Sequence, residues 1–248
     1  MIVSVITVVK NDFKNIEKTI NSVFRQNYKR IEYIVIDGNS IDGTFKIIKK
    51  NKNKISKILS GVDKNLYQAI NKGVKISKGD IIGILHAGDI YANYDTIKKS
   101  IEFLKKNRFD FVLSNLEIID KNQKVYRKVT TSNFFKPFML CLGIQPPHPT
   151  LFIKKKIIKE INYYSTDYKI VGDFDFFCKI FKKKYKWGSL PYTSILQKRG
   201  GLSDGDIYSK LETSKKLSKI LKDNNFFSLR IFFLMKIFLR IKEMMFKK

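Results

Sequence analysis

GVDKNLYQAINKGVKISKGDIIGILHAGD, residues Gly61 to Asp89, combines a charged loop, an amphipathic helix, a buried strand and a terminal carboxylate. Leu66, Ala69, Ile70, Gly73, Val74 and Ser77 fall at i, i+3, i+4, i+7, i+8 and i+11, which gathers small and apolar residues on one helical face. Ser77 to Asp80 then turn the chain into Ile81 to Leu85, a short apolar run interrupted only by Gly83, the pattern of a strand covered on both faces. Such strands come from βαβ units. Asp89 follows just past the carboxyl end of this strand, where open α/β sheets carry their ligand chemistry.

The residues before this stretch repeat the rhythm. Ile2 to Val9 is nearly continuous β-branched sequence and reads as a central parallel strand, with Asn11 or Asp12 available to cap a helix that buries Ile16, Ile20, Val23 and Phe24. Ile31 to Ile36 forms a second strand ending at Asp37, and Asp42 caps the helix carrying Phe45, Ile47 and Ile48. Lys57 to Ser60 makes a short third strand. A doubly wound order 3-2-1-4 sets Thr7, Val9, Asp37 and Asp89 along one carboxyl edge. The loop after the first strand has no glycines, so the dinucleotide fingerprint G-x-G-x-x-G is absent, which disfavours NAD or FAD; a nucleotidyltransferase would want a glycine-rich phosphate loop there too.

Beyond Asp89 the rhythm ends. Asp95 to Lys106 reads as a helix with Ile97, Ile101 and Leu104 inward, and Phe109 to Ile119 and Lys124 to Val129 read as antiparallel strands around a turn. Three of five prolines surround His148, making a rigid connection into Thr150 to Ile153. Asp173 and Asp175 open a helix, Trp187 to Leu196 is strand-like, and Lys198 to Gly205 is a basic loop containing Gly200 and Gly201. From Asn225 onward Lys236, Arg240, Glu243 and Lys247 recur at helical spacing among apolar residues. This predicts a basic amphipathic helix too interrupted by charge to span a bilayer and suited to an anionic membrane interface, or to docking on the protein's own core.

A chain of 248 residues fits one α/β domain with additions, expected as a first half over 1–115, a second half of the same domain over 116–222 and a tail over 223–248. The net charge of +27 favours polyanionic partners, but the lysines are dispersed and no zinc spacing, arginine-rich arm or aromatic RNP-like strand is present, so no nucleic-acid partner is expected. Only Cys141 and Cys178 occur, in apolar contexts, which fits free thiols in a reducing compartment. The first residues lack a basic region and cleavage site and read as a strand, so a cytoplasmic location is expected, peripheral on the inner face of the cell membrane through the tail.

Five ordered motifs, SVITVVKN, EYIVIDGNSIDGT, DKNLYQAINKG, GDIIGILHAGD and VGDFDFF, together resemble the inverting family 2 glycosyltransferases with the GT-A fold, strongly over about the first 90 residues. The resemblance implies an α/β, Rossmann-like, mostly parallel sheet with helices on both faces. It also implies transfer of a sugar from a nucleotide donor, expected to be UDP-linked, onto a lipid-linked or oligosaccharide acceptor in cell-surface polysaccharide assembly. In this resemblance Asp37 contacts the base or ribose, Asp63 and Lys72 lie near the nucleotide together with Thr7 and Val9, and Asp89 binds Mn²⁺ or Mg²⁺ with the diphosphate. Asp173 matches the catalytic base and Asp175 is its alternative. His148 falls on the acceptor side, His86 is a ligand or loop residue, and Lys198, Arg199, Gly200 and Gly201 fit a lid over the donor. HAGD departs from the common D-x-D form, because His86 and Gly88 stand where many relatives carry acids. A noncatalytic sugar-nucleotide binder at the membrane fits that departure, and a basic nucleic-acid binder fits the charge.

Overall fold

The computed structural model describes residues 1–131, 134–198 and 207–227. Strands β1 (Val3–Val9), β2 (Ile31–Asp37), β3 (Lys57–Ser60) and β4 (Ile81–Ile84) are parallel in the order β3-β2-β1-β4, as the repeated βαβ pattern requires. Helices α1 (Ile16–Phe24), α2 (Thr44–Lys50) and α4 (Thr96–Lys106) cover one face, and α3 (Leu66–Ile76) covers the other. α3 lies so close to β1 that a Cβ on Gly73 would sit 2.5 Å from Ile6 Cγ2. Only glycine permits that approach.

The second half extends the same sheet with mixed directions. β5 (Ile90–Tyr91), β6 (Phe111–Ile119), β7 (Val125–Val129), β8 (Phe152–Lys154) and β9 (Trp187–Lys198) complete the order β3-β2-β1-β4-β8-β6-β9-β5, with β7 paired to β6. β8 is antiparallel to both β4 and β6, whereas β6 and β9 run parallel. Helices α5 (Lys155–Glu160), α6 (Gly172–Lys182) and α7 (Ile207–Asp223) join α3 on its face, where Phe174, Phe176, Phe177, Ile220 and Leu221 are buried in one core. The expected boundary at residue 115 falls inside β6.

Local expectations shift where tertiary contacts override pattern. Phe24 is 61% exposed, and Thr19 takes a place on the buried face of α1. As the last residue of that helix, Phe24 has rotated off the apolar stripe. Neither Asn11 nor Asp12 caps α1; Asn15 holds the N-cap position, and the Asp12 carbonyl accepts from the amides of Asn15 and Ile16. Gly43, at φ +94°, holds the N-cap position of α2 in place of Asp42, which stands one residue earlier; its Oδ1 accepts from the Thr44 amide at 3.0 Å, while its Oδ2 accepts from the Phe13 amide and ties down the loop after β1. Lys198 closes β9 opposite Ile119 and so belongs to a strand.

Candidate active site

The carboxyl ends of β1 to β4 carry the acids that the strand order brings together. Asp37 is fully buried at the end of β2. Its Oδ2 accepts from Ser60 Oγ at 2.7 Å and from the Ser40 amide at 3.2 Å, while Oδ1 is buried with no partner. A buried carboxylate oxygen left without a donor is costly, so this atom is poised for a ligand N–H or O–H. Past the end of β3, Asp63 pairs with Lys72 Nζ at 2.6 Å, and its Oδ2 is likewise buried and without a hydrogen-bond donor. Lys72 remains 42% exposed at its side chain. Thr7 and Val9 lie on the same edge with buried side chains: the Thr7 hydroxyl accepts from Tyr33 Oη at 3.1 Å and Val9 packs in the core below. The Val9 carbonyl accepts from the Gly38 amide at 2.8 Å, so it holds the loop after β2 against the end of β1.

Asp89 follows β4 and is 4% exposed. Its Oδ2 accepts from Gln197 Nε2 at 3.2 Å, and its carbonyl accepts from Thr19 Oγ1. Burial pushes its carboxyl up to about 7; Gln197 opposes the rise and the nearby Asp12 carboxylate adds to it. Gly88, at φ +89°, turns the loop, and a Cβ there would come 3.6 Å from Asp12 Oδ2. Asp12 therefore faces the place where an acid of a D-x-D sequence would project. Lys198 Nζ donates to Asn15 Oδ1 beside this pair, and its charge lowers the Asp12 carboxyl against the rise that burial causes. Among the described residues no group of three or more His, Cys, Asp and Glu forms a metal cage. The hard-oxygen donors Asp89 and Asp12 fit Mg²⁺ or Mn²⁺ only if diphosphate and water complete the shell.

Asp173 sits in the first turn of α6 at the centre of a separate cluster. Oδ2 accepts from Gln145 Nε2 at 2.6 Å; Oδ1 accepts from the Phe174 amide at 3.0 Å and from Tyr67 Oη at 3.3 Å. Burial and the Asp173 charge raise the Tyr67 phenol, which keeps it protonated as a donor. A Cβ on Gly172 would lie 2.6 Å from Tyr67 Cε2, so glycine is what lets this tyrosine reach the carboxylate. Next to it His148 is buried and shares a 2.8 Å hydrogen bond with Tyr164 Oη, and the His86 ring stacks on His148 at 5.8 Å. Burial holds both imidazoles below their ordinary range, His86 at about 4, so both are neutral at pH 7.

α3 couples the two clusters. Asn65 caps it by accepting from the amides of Tyr67 and Gln68, and donates to the Thr166 carbonyl at 2.7 Å. Asn71 exchanges two hydrogen bonds with the backbone of Tyr164. The helix that begins beside Asp63 thus fixes the loop that leads to Asp173.

The structure brings Asp37, Asp63 and Lys72 to one edge and Asp173, His148 and His86 to one cluster. His86 joins the Asp173 cluster through its stacking on His148. Asp175 stays apart: its Oδ1 accepts from Asn224 Nδ2 at 3.0 Å and its Oδ2 pairs with Lys179 at 2.7 Å, which binds α6 to the end of α7. Arg199, Gly200 and Gly201 lie outside the described residues, as does the tail beyond Phe227. Tyr67, Gln145, Tyr164 and Asp12 were not foreseen as site residues. Tyr67 lies inside a recognised motif, but nothing local marks Gln145 or Tyr164, whose partners are 28 and 16 residues away or more.

Comparison with known proteins agrees with this fold. The sequence profile described as glycosyl transferase family 2 matches residues 4–187. An uncharacterized glycosyltransferase of Mycobacterium tuberculosis is 28% identical over 180 residues, 70% of this chain and 66% of that protein. An Escherichia coli UDP-Glc:alpha-D-GlcNAc-diphosphoundecaprenol beta-1,3-glucosyltransferase is 30% identical over 125 residues, 50% of this chain and 49% of its own length. The Staphylococcus aureus TarS fragment crystallised with UDP-GlcNAc superposes with a TM-score of 0.70 at 19% identity, covering 89% of this chain and 66% of that one. A Pyrobaculum calidifontis mannosyltransferase in complex with GDP-Man and Mn²⁺ gives 0.65 at 16% identity, covering 89% and 63%. The chain thus spans just under two thirds of the length of the mycobacterial relative and of the TarS fragment.

Proposed function

The chain belongs to glycosyl transferase family 2, and from that premise we propose that it is an inverting transferase moving a sugar from a UDP-linked donor to a lipid-linked saccharide acceptor. The observation that carries this reading is the pair of buried, unpartnered carboxylate oxygens, Asp37 Oδ1 and Asp63 Oδ2, on one edge of the sheet. Uracil N–H and ribose hydroxyls are donors of the kind those atoms lack. Lys72, already beside Asp63, supplies positive charge for the diphosphate.

Asp173 is the base of this reaction. It takes the proton of the acceptor hydroxyl as that oxygen bonds to the anomeric carbon. The bond from that carbon to the diphosphate breaks on the opposite face, and its electron pair leaves with the nucleoside diphosphate. Asp173 lies in the first turn of α6, where Gln145 and Tyr67 each hold one of its carboxylate oxygens. His86 and His148, neutral at pH 7, add no competing charge to the pocket. A divalent cation at Asp89 and Asp12 would stabilise negative charge on the departing diphosphate.

Donor class and metal are read together in thermal unfolding. With Mn²⁺ present, the matching nucleotide sugar at about 100 times its Kd stabilises by about 2.7 kcal/mol, which raises Tm by about 5–10 °C for a chain of this size. A panel in which no UDP-, GDP- or CDP-sugar moves Tm would remove the donor-binding reading.

The UDP-glucose and diphosphoundecaprenol-linked acceptor named for the Escherichia coli relative support a membrane-bound substrate here. No described helix is long and apolar enough to cross a bilayer. The basic, apolar residues after Phe227 then serve as a surface anchor at the inner face of the membrane. Truncation must spare Asn224, which holds Asp175, so residues 228–248 are the piece to delete. Their loss should release the protein from phosphatidylglycerol vesicles in a flotation assay; retention on the vesicles would leave the anchor without support.

A further inference from the structure

Gln145 is placed to do two things at once. Its Nε2 donates to Asp173 Oδ2 at 2.6 Å. A carboxylate only accepts, so this bond fixes which way the amide points. Its other end, Oε1, is buried and has no partner, although the residue as a whole is only half-buried. A carbonyl oxygen held in that state next to the base is an empty acceptor position, and leaving it unmet is unfavourable.

We propose that Gln145 is the residue that aligns Asp173 and reads the acceptor: Oε1 accepts a hydrogen bond from a hydroxyl adjacent to the one that Asp173 deprotonates. The inference rests on Asp173 being the base. Two neighbouring hydroxyls of a saccharide fit one carboxylate and one amide oxygen held side by side, whereas an acceptor lacking the second hydroxyl leaves Oε1 unpaired and is selected against. The proline-rich connection around residues 146–149 gives the amide a stiff support, because each proline fixes its φ. Tyr67 holds the other carboxylate oxygen, so the base is gripped from both sides.

The test compares Gln145→Met, which removes both polar ends, with Gln145→Glu, which keeps an oxygen but sets a second acid against Asp173. Release of nucleoside diphosphate into water from the donor found by thermal shift reports on the base without any acceptor. In Gln145→Met this hydrolysis should fall by up to about 100-fold, since the base is no longer aligned. The acid limb of its pH profile should move to higher pH, because a donor to the carboxylate has gone. Gln145→Glu should move that limb further, as two carboxyls share one proton. Transfer to GlcNAc-diphosphate on an alkyl chain should lose more than hydrolysis does in Gln145→Met, with a raised acceptor KM and an unchanged donor KM. In Gln145→Glu the ratio of transfer to hydrolysis should hold. An unmoved acid limb in both variants, with Asp173→Asn inactive, overturns the role of Gln145 alone. Equal losses of transfer and hydrolysis in Gln145→Met overturn the acceptor contact. An active Asp173→Asn overturns the base assignment beneath it. If the methionine variant fails to fold, Gln145→Ala, which also removes both polar ends, carries the ratio of transfer to hydrolysis, and Gln145→Glu carries the shift of the acid limb.

Discussion

Asp173→Asn should leave a folded protein whose sugar transfer is slower by about 10²- to 10⁴-fold, the range that a positioned general base contributes. The substitution keeps shape and volume. Asn Oδ1 can still accept from the Phe174 amide and from Tyr67, so the amino end of α6 keeps its anchor. What is lost is the ability to take up a proton. Donor affinity, read as the Mn²⁺-dependent rise in Tm, should stay close to that of the parent, because Asp37, Asp63 and Lys72 are not among the hydrogen-bond partners of Asp173. A loss of only tens of fold in kcat with Tm unchanged would move the base elsewhere. Asp175 is a poor replacement, since Asn224 and Lys179 already hold both its oxygens.

Asp89→Asn should abolish cation dependence and, above neutral pH, make the protein more stable. Burial raises the Asp89 carboxyl from 3.8 to about 7, so above pH 7 the folded state carries a charge that the interior disfavours. A folded value above the unfolded one means that the folded state binds the proton more tightly. Stability therefore drops as pH rises through that window, and the penalty is complete above about pH 7. At 1.36 kcal/mol per unit the penalty is at most about 4 kcal/mol. Asparagine carries no such charge. Its advantage in urea unfolding should be about 2–4 kcal/mol at pH 8 and fade as pH falls toward 4. Mn²⁺ added to UDP should raise Tm of the parent protein beyond UDP alone and add nothing to Asp89→Asn. A variant that is less stable than the parent at pH 8 would mean that Asp89 is already compensated within the protein. The two substitutions thus separate cleanly: Asp173 costs rate, and Asp89 costs rate and cation response while relieving strain in the fold.

His86 changes in the opposite direction on acidification. Its folded value, about 4, is below the ordinary 6.5, so the unfolded chain takes up a proton first and stability falls as pH drops from about 6.5 toward 4. The Asp89 gain and the His86 loss overlap in that range. The comparison of Asp89→Asn with its parent cancels the histidine contribution and isolates the carboxylate.

Sequence alone determined the first four strands, their order, the helices between them and the acids at their carboxyl ends. Those features rest on local periodicity and on short βαβ connections, whose handedness leaves few alternatives. Asp37 and Asp89 were legible for the same reason, since one ends an apolar strand and the other follows one in its carboxyl-end loop. Within Gly61 to Asp89, the small and apolar face of α3 was legible as well, but its other work was not. Only the folded chain shows Tyr67 turned onto Asp173 and Asn65 and Asn71 clasping the loop at 163–168, contacts that span about a hundred residues. The mixed direction of β8, β6 and β9, the retreat of Asp175 into helix packing, and the pairing of Gln145 with the base were also decided there. Each depends on which side chains meet across the sheet, and no local spacing encodes a partner that distant in the chain.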